Sequence, residues 1–294
     1  MSAGHVSYIE VHGVGKSFAR DGRPREVLRD ISLRVEEGEF VSIVGAMGSG
    51  KTTLLAMMAG LTAPDAGTIR VADQPVSGVL DGAAFVFQNY SLLPWLSALE
   101  NVRLAVAAAF PTAGAPEHRA RATAALERVG LGSALDRKPR HLSGGMRQRV
   151  ALARAFATEP SVLFLDEPFG ALDALTRETL QSDLAALCEA RDRPVTTVMV
   201  TNNLDEAILL SDRIVPVVPG PPATLGAAVL VGLPRPRSAT LLATDEAAGV
   251  ARAEIISALT AAQGLRSTVY GPWSSRRAES LECSNEPKPE GAIS

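Results

Sequence analysis

Short apolar runs alternate with amphipathic stretches along most of the chain. The apolar runs are rich in β-branched and aromatic residues and predict buried strands over residues 40–44, 84–87, 162–165 and 195–201. Apolar residues at helical spacing predict helices over 53–59, 147–158, 174–191 and 205–210. Because the two element types alternate, we expect a mostly parallel sheet covered by helices on both faces.

Two regions depart from this alternation. Before the first buried run, strict apolar/polar alternation predicts strands over 8–11 and 31–35, joined through a turn at 21–24, and another strand is expected at 67–71. From about 90 to 142 the pattern is helical, most clearly over 100–109 and 117–129. This block interrupts the strand–helix alternation, so we expect it to be an inserted helical subdomain.

The last third of the chain changes character. Apolar runs at 214–218 and 226–231 predict small strands around the turn at 219–222, and a helix is expected over 246–262. Beyond Gly264 the sequence is polar and rich in Ser, Glu and Pro, which is typical of disorder. We therefore expect a main domain over 6–235, a helical extension over 236–264 and a disordered tail over 265–294.

Composition narrows the functional class. The net charge of −3 argues against a broad nucleic-acid-binding surface. Cys188 and Cys283 match no metal or redox spacing, so we expect two free thiols in a reducing compartment. The histidines also lack metal-ligand spacing. No secretory signal or membrane-spanning run is expected, so membrane association would require a partner.

The first chemical motif follows the run at 40–44. Residues 45–52 read Gly-Ala-Met-Gly-Ser-Gly-Lys-Thr, the G-x-x-x-x-G-K-[ST] pattern of a phosphate-binding loop, between a predicted strand and a predicted helix. The glycines let successive N–H groups turn toward a polyphosphate, and the following helix N-terminus favours an anion. Lys51 would reach the β- and γ-phosphates, and the Thr52 hydroxyl would bind Mg²⁺.

Two further segments complete the chemistry. The run at 162–165 ends in Asp166 and Glu167, which places two carboxylates at the end of a strand beside the phosphate loop. We expect Asp166 to hold Mg²⁺ through its water shell and Glu167 to polarise a water. Residues 142–149 place Ser143, Gly144 and Gly145 before a helix; this predicts an anion site, a Ser143 helix cap, or both.

Taken in order, these segments resemble the ATP-binding cassette (ABC) ATPases over about residues 6–235. The resemblance implies an α/β fold: a P-loop NTPase with a mostly parallel sheet core, an antiparallel β edge region and an inserted helical subdomain. It implies ATP and Mg²⁺ as ligands. The implied nucleotide-binding residues are Phe18, Gly45, Ala46, Met47, Gly48, Ser49, Gly50, Lys51, Thr52, Thr53, Ser143, Gly144, Gly145 and Asp173. The implied catalytic residues are Glu167, Gln88 and Asn202, and the implied metal ligands are Thr52, Gln88 and Asp166.

Three assignments stay open or depart from the family pattern. Phe18 is either an adenine-stacking aromatic or a core residue, and Trp95 is either core or part of a groove for a helix of a membrane partner. Asn202 occupies the position of the family's switch histidine. Asparagine can donate a hydrogen bond but does not titrate near neutral pH, so hydrolysis would depend more on Glu167.

A finer resemblance suggests the transport class. Residues 87–96, 142–146, 166–173 and 206–213 look like importers of nitrate, sulfonate and taurine, with a lean toward the nitrate, nitrite and cyanate branch. This implies an ATP-hydrolysing import subunit on the cytoplasmic face of the inner membrane. Its partners would be a second copy or a second ABC subunit, integral membrane permease subunits and, indirectly, a solute-binding protein. The alternatives are a soluble ABC ATPase acting on nucleic acid or ribosomes, and a weakly catalytic ATP-driven dimerisation switch.

Overall fold

The computed structural model describes residues 7–20, 23–170, 172–189, 194–220 and 222–269. The strands are β1 (Ser7–Arg20), β2 (Arg23–Glu36), β3 (Phe40–Val44), β4 (Ala66–Val71), β5 (Gln74–Pro75), β6 (Ala83–Val86), β7 (Val162–Asp166), β8 (Thr196–Thr201), β9 (Arg213–Val218), β10 (Thr224–Leu225) and β11 (Val229–Leu230). The α-helices are α1 (Lys51–Met58), α2 (Ala98–Ala109), α3 (Ala115–Arg128), α4 (Gly144–Phe156), α5 (Ala174–Glu189), α6 (Leu204–Leu210), α7 (Ala239–Thr244) and α8 (Glu246–Val269).

The larger sheet has the order β10-β9-β3-β8-β7-β6, with β11 also paired to β9. Its central pairs are all parallel, and only β10 and β11 run antiparallel to their neighbour. Every residue of β3, β7 and β8 is buried, as expected for strands covered on both faces. The predicted α/β fold with a mostly parallel core is therefore confirmed.

Alternate side chains of these strands enter two apolar clusters. On one face Val41, Ile43, Phe164 and Val198 pack with α1 and with the antiparallel sheet β2-β1-β4-β5. On the other face the cluster includes residues from β3, β7 and β8 together with α4 and α5. Because parallel strands present their carboxyl ends at one edge, the loops after β3, β7 and β8 meet there.

The helical block forms its own cluster from α2, α3 and the outer side of α4. Ser97 starts α2 with a capping box, in which its hydroxyl accepts from the Glu100 N–H and the Glu100 carboxylate accepts from the Ser97 N–H. Arg149 in α4 donates to the Val129 carbonyl at 2.8 Å and pairs with Asp183 at 2.7 Å. It joins this block to α5.

The last third of the described chain packs on α6. Val231, Leu233, Leu242, Ala248 and Ile255 form an apolar cluster with α6. Within residues 226–231, predicted as a small strand, only Val229 and Leu230 form one, β11, while the Gly226 N–H donates to the Pro216 carbonyl of β9. The tail predicted from 265 likewise begins inside α8, which continues to Val269. A single glycine at 264 is tolerated within a helix.

Candidate functional site

The loop between β3 and α1 is shaped by two glycines. Gly48 and Gly50 have φ of 74° and 92°, in the left-handed region that other residues rarely adopt. A Cβ at Gly50 would also lie 2.8 Å from Leu28 Cδ2, so only glycine fits against that side chain. The loop therefore curls back over the N-terminus of α1, where unpaired N–H groups favour an anion.

Lys51 opens α1 and its side chain is only 4 % exposed. Nζ donates to the Gly45 carbonyl at 2.9 Å and to the Ala46 carbonyl at 3.0 Å, and lies 3.7 Å from Glu167 Oε1. Burial lowers the pKa of Lys51, while the negative charges of Glu167 and Asp166 oppose that shift. The ammonium is thus held inside the loop, with the Glu167 carboxylate nearby.

Thr52 and Asp166 meet at the end of β7. The Thr52 hydroxyl donates to Asp166 Oδ1 at 2.9 Å. Burial raises the pKa of Asp166, and the hydrogen bond from Thr52 partly offsets this. A hydroxyl and a carboxylate form the hard-oxygen set that Mg²⁺ prefers, and a cation would relieve the cost of the buried carboxylate. The residues present fit the predicted metal.

Glu167 follows with a φ of 43°, uncommon for a residue other than glycine. Its N–H donates to the Val200 carbonyl at 2.9 Å, so β8 supports the turn. Its Oε2 accepts from Gln88 Nε2 at 3.4 Å, and Gln88 lies just beyond β6. The turn thus directs the two adjacent carboxylates to different partners, Asp166 to Thr52 and Glu167 to Lys51 and Gln88.

An open cleft of about 290 Å³ lies over the loop. It is lined by Phe18, Val27, Met47, Gly48, Ser49, Gly50, Lys51, Thr52, Thr53, Gln88 and Glu167. Ser49 Oγ is buried and has no hydrogen-bond partner among the described residues, so a polar ligand in the cleft could bond to it. Glycine-framed N–H groups, a buried ammonium and an unpaired hydroxyl together suit a polyphosphate.

Phe18 lines the cleft and is 46 % exposed, which excludes the core alternative. The structure records register shifts in β1 between Val14 and Lys16 and between Lys16 and Ser17. Such bulges re-aim the side chains that follow. The ring is therefore available to stack on a planar ligand.

Trp95 is 64 % exposed, so it is not a core residue either.

Five other predicted residues are not among those that line the cleft. Ser143, Gly144, Gly145, Asp173 and Asn202 are all described, and none of them lines it. Ser143 caps α4, its Oγ accepting from the Met146 N–H at 3.2 Å. Asp173 Oδ1 accepts from the Thr176 N–H at 3.0 Å near the start of α5. Asn202 is exposed in the loop after β8.

Sequence reasoning missed the residues that surround Asn202. Asn203 caps α6, its Oδ1 accepting from the N–H groups of Asp205 and Glu206 at 2.9 and 3.3 Å. The Asn203-Leu-Asp-Glu206 spacing could have revealed this cap. The Glu206 carboxylate, however, bonds to Thr201 and not to the cap residue. No sequence signal indicated this contact.

Two expectations concern absent features. In the described part of the chain no cluster of His, Cys, Asp or Glu is suited to hold a metal by itself. Nor does any described helix have the length and apolarity to cross a membrane. Cys188 is buried and free, and burial raises the pKa of its thiol to about 12. Cys283 and His5 lie outside the described residues.

The chain is similar to curated transport proteins. It is 42 % identical to the nitrate import ATP-binding protein NrtD of Synechococcus elongatus over 87 % of this chain and 92 % of that protein. It is 44 % identical to the nitrate transport protein NasD of Klebsiella oxytoca over 81 % and 90 %. The bicarbonate transport ATP-binding protein CmpC of Synechocystis sp. is 47 % identical over 78 % of this chain, which spans only 34 % of CmpC.

Solved structures agree. A dimeric bacterial ABC transporter cassette is 33 % identical, covers 76 % of this chain and 98 % of its own, and superposes with a TM-score of 0.67. A dimeric post-hydrolysis state of an ATP-binding cassette bound to ADP and Pi is 31 % identical and superposes with a TM-score of 0.68, again over 76 % of this chain and 98 % of its own. The ABC transporter family model matches residues 28–170, from β2 through the turn after Glu167. With its phosphate-binding loop and paired carboxylates in the order that family requires, the chain belongs to the ABC transporter family.

Proposed function

We propose that the chain is the ATP-hydrolysing subunit of an ABC importer. The observation that carries this proposal is the convergence of Lys51, Thr52, Gln88, Asp166 and Glu167 around one cleft over a glycine loop. In this proposal, the loop N–H groups and Lys51 bind the β- and γ-phosphates, and Phe18 stacks on the adenine.

The carboxylates divide the chemistry between them. Thr52, Asp166 and Gln88 would hold Mg²⁺, which when bound neutralises charge on the phosphate oxygens. Glu167 orients a water and takes its proton as that water attacks the γ-phosphorus. Lys51 and Gln88 both face the Glu167 carboxylate, and a bound γ-phosphate would compete with this carboxylate for Lys51. Asn202 donates to the γ-phosphate without titrating.

Ser143, Gly144, Gly145 and Asp173 do not line the cleft of their own chain, and a dimer would give them a role at the cleft of the other copy. Two copies facing each other would bring the α4 N-terminus of one to the γ-phosphate held by the other, which also completes an anion site. A second ABC subunit could replace the second copy. Both structural relatives are described as dimeric, which supports this arrangement.

The dimer is proposed to drive a separate membrane permease from the cytoplasmic face, with a solute-binding protein as indirect partner. Exposed Trp95 and Leu104 in and beside the helical block are the apolar surface we assign to the permease. The solute is proposed to be a small anion. Nitrate or nitrite is favoured because NrtD and NasD carry nitrate in their names, with bicarbonate and sulfonate as the other candidates.

The test is ATPase activity of the full chain co-purified with its permease, measured with solute-binding protein and each anion in turn. Stimulation by nitrate or nitrite supports the assignment. Stimulation by bicarbonate or a sulfonate alone would replace the solute but keep the importer. Salt-sensitive binding to DNA or RNA, with no effect of any anion, would favour the non-transport alternative. Tight ATP-driven dimerisation with very slow turnover would favour the switch.

A further inference from the structure

One buried carboxylate connects two of the loops beside the cleft. Glu206, in the first turn of α6, is 4 % exposed. Its Oε2 accepts a hydrogen bond from Thr201 Oγ1 at 2.9 Å, and its Oε1 lies 3.6 Å from Arg177 Nε. Thr201 ends β8, and Arg177 lies in the first turn of α5. Glu206 therefore bridges the loop that carries Asn202 and the start of the helix that follows Asp173.

On the first side of the bridge, the contacts fix the backbone around Asn202. Thr201 Oγ1 also accepts from the Asn203 N–H at 3.0 Å, while the Asn203 side chain caps α6. Both neighbours of Asn202 are thus anchored, although Asn202 itself is exposed. The Thr201 hydroxyl thus touches both the loop backbone and the Glu206 carboxylate.

On the second side, Arg177 reaches the turn that contains Asp173. Arg177 Nη2 donates to the Leu172 carbonyl at 2.8 Å. Leu172 is the residue before Asp173, and Asp173 in turn caps the N–H of Thr176. A change in the position of this turn is therefore transmitted to Arg177 and to the carboxylate that it faces.

Helix stability does not account for Glu206. Asn203 already caps α6. Burial disfavours the charged carboxylate and so raises the pKa of Glu206, although Thr201 and Arg177 oppose this shift, which makes the buried carboxylate costly. A nonpolar side chain would fill such a site at lower cost. The acid therefore has a role other than packing.

We propose that Glu206 is a positioning residue. Through the Thr201 hydroxyl it holds Asn202 in place at the nucleotide, and through Arg177 it links the position of Asn202 to that of the Leu172–Asp173 turn. The inference rests on the proposed function, because Asn202 needs a γ-phosphate to act on. It assigns Thr201, Glu206 and Arg177 no contact with the reacting atoms.

The test compares three single substitutions in the full chain by steady-state ATP hydrolysis. Thr201→Val removes the hydroxyl with little change of shape, and since a displacement of about 1 Å can cost on the order of 100-fold in rate, we expect kcat to fall about 10- to 100-fold with KM nearly unchanged. Thr201→Ser keeps the hydroxyl and should restore kcat. Thr197→Val removes a buried hydroxyl from the same strand, bonded to the Val195 carbonyl, and should leave kcat unchanged.

A double substitution separates positioning from general damage. Asn202→Ala should itself slow hydrolysis, and adding Thr201→Val should then cost nothing more, because the residue being positioned is gone. Losses that multiply would overturn the inference, as would full kcat in Thr201→Val or in Asn202→Ala. If Thr201→Val does not fold by thermal unfolding, Glu206→Gln replaces it. That variant replaces the carboxylate that faces Arg177 and accepts from Thr201 with a neutral amide, which weakens the link between them. We expect its kcat to fall, and adding it to Asn202→Ala should cost nothing more. A wild-type chain that hydrolyses no ATP would instead overturn the proposed function.

Discussion

Lys51→Met tests the role of the buried ammonium. Methionine keeps most of the side-chain volume but removes the charge and both hydrogen bonds to the Gly45 and Ala46 carbonyls. Two unit charges about 4 Å apart attract by roughly 4 kcal/mol at the effective dielectric constant of partly buried sites. Desolvation takes up part of this, so we expect MgATP to bind about 100-fold more weakly, equivalent to about 2.7 kcal/mol.

The assay is thermal unfolding with and without a non-hydrolysable ATP analogue and Mg²⁺. At a concentration 100 times the wild-type Kd, the ligand stabilises the wild type by about 2.7 kcal/mol, but a variant weakened 100-fold by only about 0.4 kcal/mol. For a chain of this size the first corresponds to a Tm rise of roughly 5 °C or more, and the second to about 1 °C.

The Tm of the Lys51→Met variant without ligand supplies an internal check. Burial lowers the pKa of Lys51, so folding disfavours the charged form, and this penalty is fully present below the pKa of the folded protein. Removing the charge should therefore not lower the Tm of the ligand-free protein by much, even though Glu167 loses its neighbour at 3.7 Å. Lys138→Met, at an exposed lysine, is the matched control. An undiminished ligand-induced Tm rise in Lys51→Met would refute the assignment of Lys51.

Two further predictions concern α4 and the C-terminal part of the described chain. Gly144→Asp places a carboxylate at the first residue of α4, where it would repel the γ-phosphate held by the other copy of a dimer. We expect this variant to bind ATP but to hydrolyse it at least about 10-fold more slowly. ATPase assays should show the neutral, similarly shaped Gly144→Asn to be much less impaired, and equal rates in the two variants would contradict the charge argument. Arg237→Met removes the guanidinium that donates to the carbonyls of Ile208 and Ser211 at 2.8 and 2.6 Å and also to those of Val231 and Leu233, and should lower the free energy of unfolding by about 2–4 kcal/mol in urea titrations. Arg119→Met, on an exposed face of α3, should change the free energy of unfolding by less than about 0.5 kcal/mol, and similar losses in both variants would contradict this role of Arg237.

Sequence predicted the parts of the site that depend on local spacing. The phosphate loop and the Asp166–Glu167 pair each lie within a few residues of a strongly apolar strand, and parallel pairing then brings both to one edge of the sheet. The same logic predicted the order of strands and helices, since each element carries its own periodicity. Element ends were less predictable: α1 starts at Lys51, because Gly50 already serves as its N-cap.

Contacts between distant residues were not predictable in this way. Arg177, Thr201 and Glu206 meet because α5, β8 and α6 pack side by side, and nothing in their local sequence indicates that geometry. The choice between core and cleft for Phe18 depended on register shifts within β1, which alternation alone does not reveal. The sites for a second copy and a permease depend on other chains, so neither local spacing nor the fold of one chain defines them.

Glu167→Gln provides the most direct test of the central claim, that this cleft hydrolyses ATP. The amide keeps the shape and can still bond to Gln88, but it cannot take a proton from water. Phosphate release by the full chain should be measured together with binding of MgATP and molecular size. The account predicts that the wild type releases phosphate, whereas Glu167→Gln binds MgATP, accumulates as a dimer and releases phosphate at least about 100-fold more slowly. Wild-type turnover in the variant would contradict it.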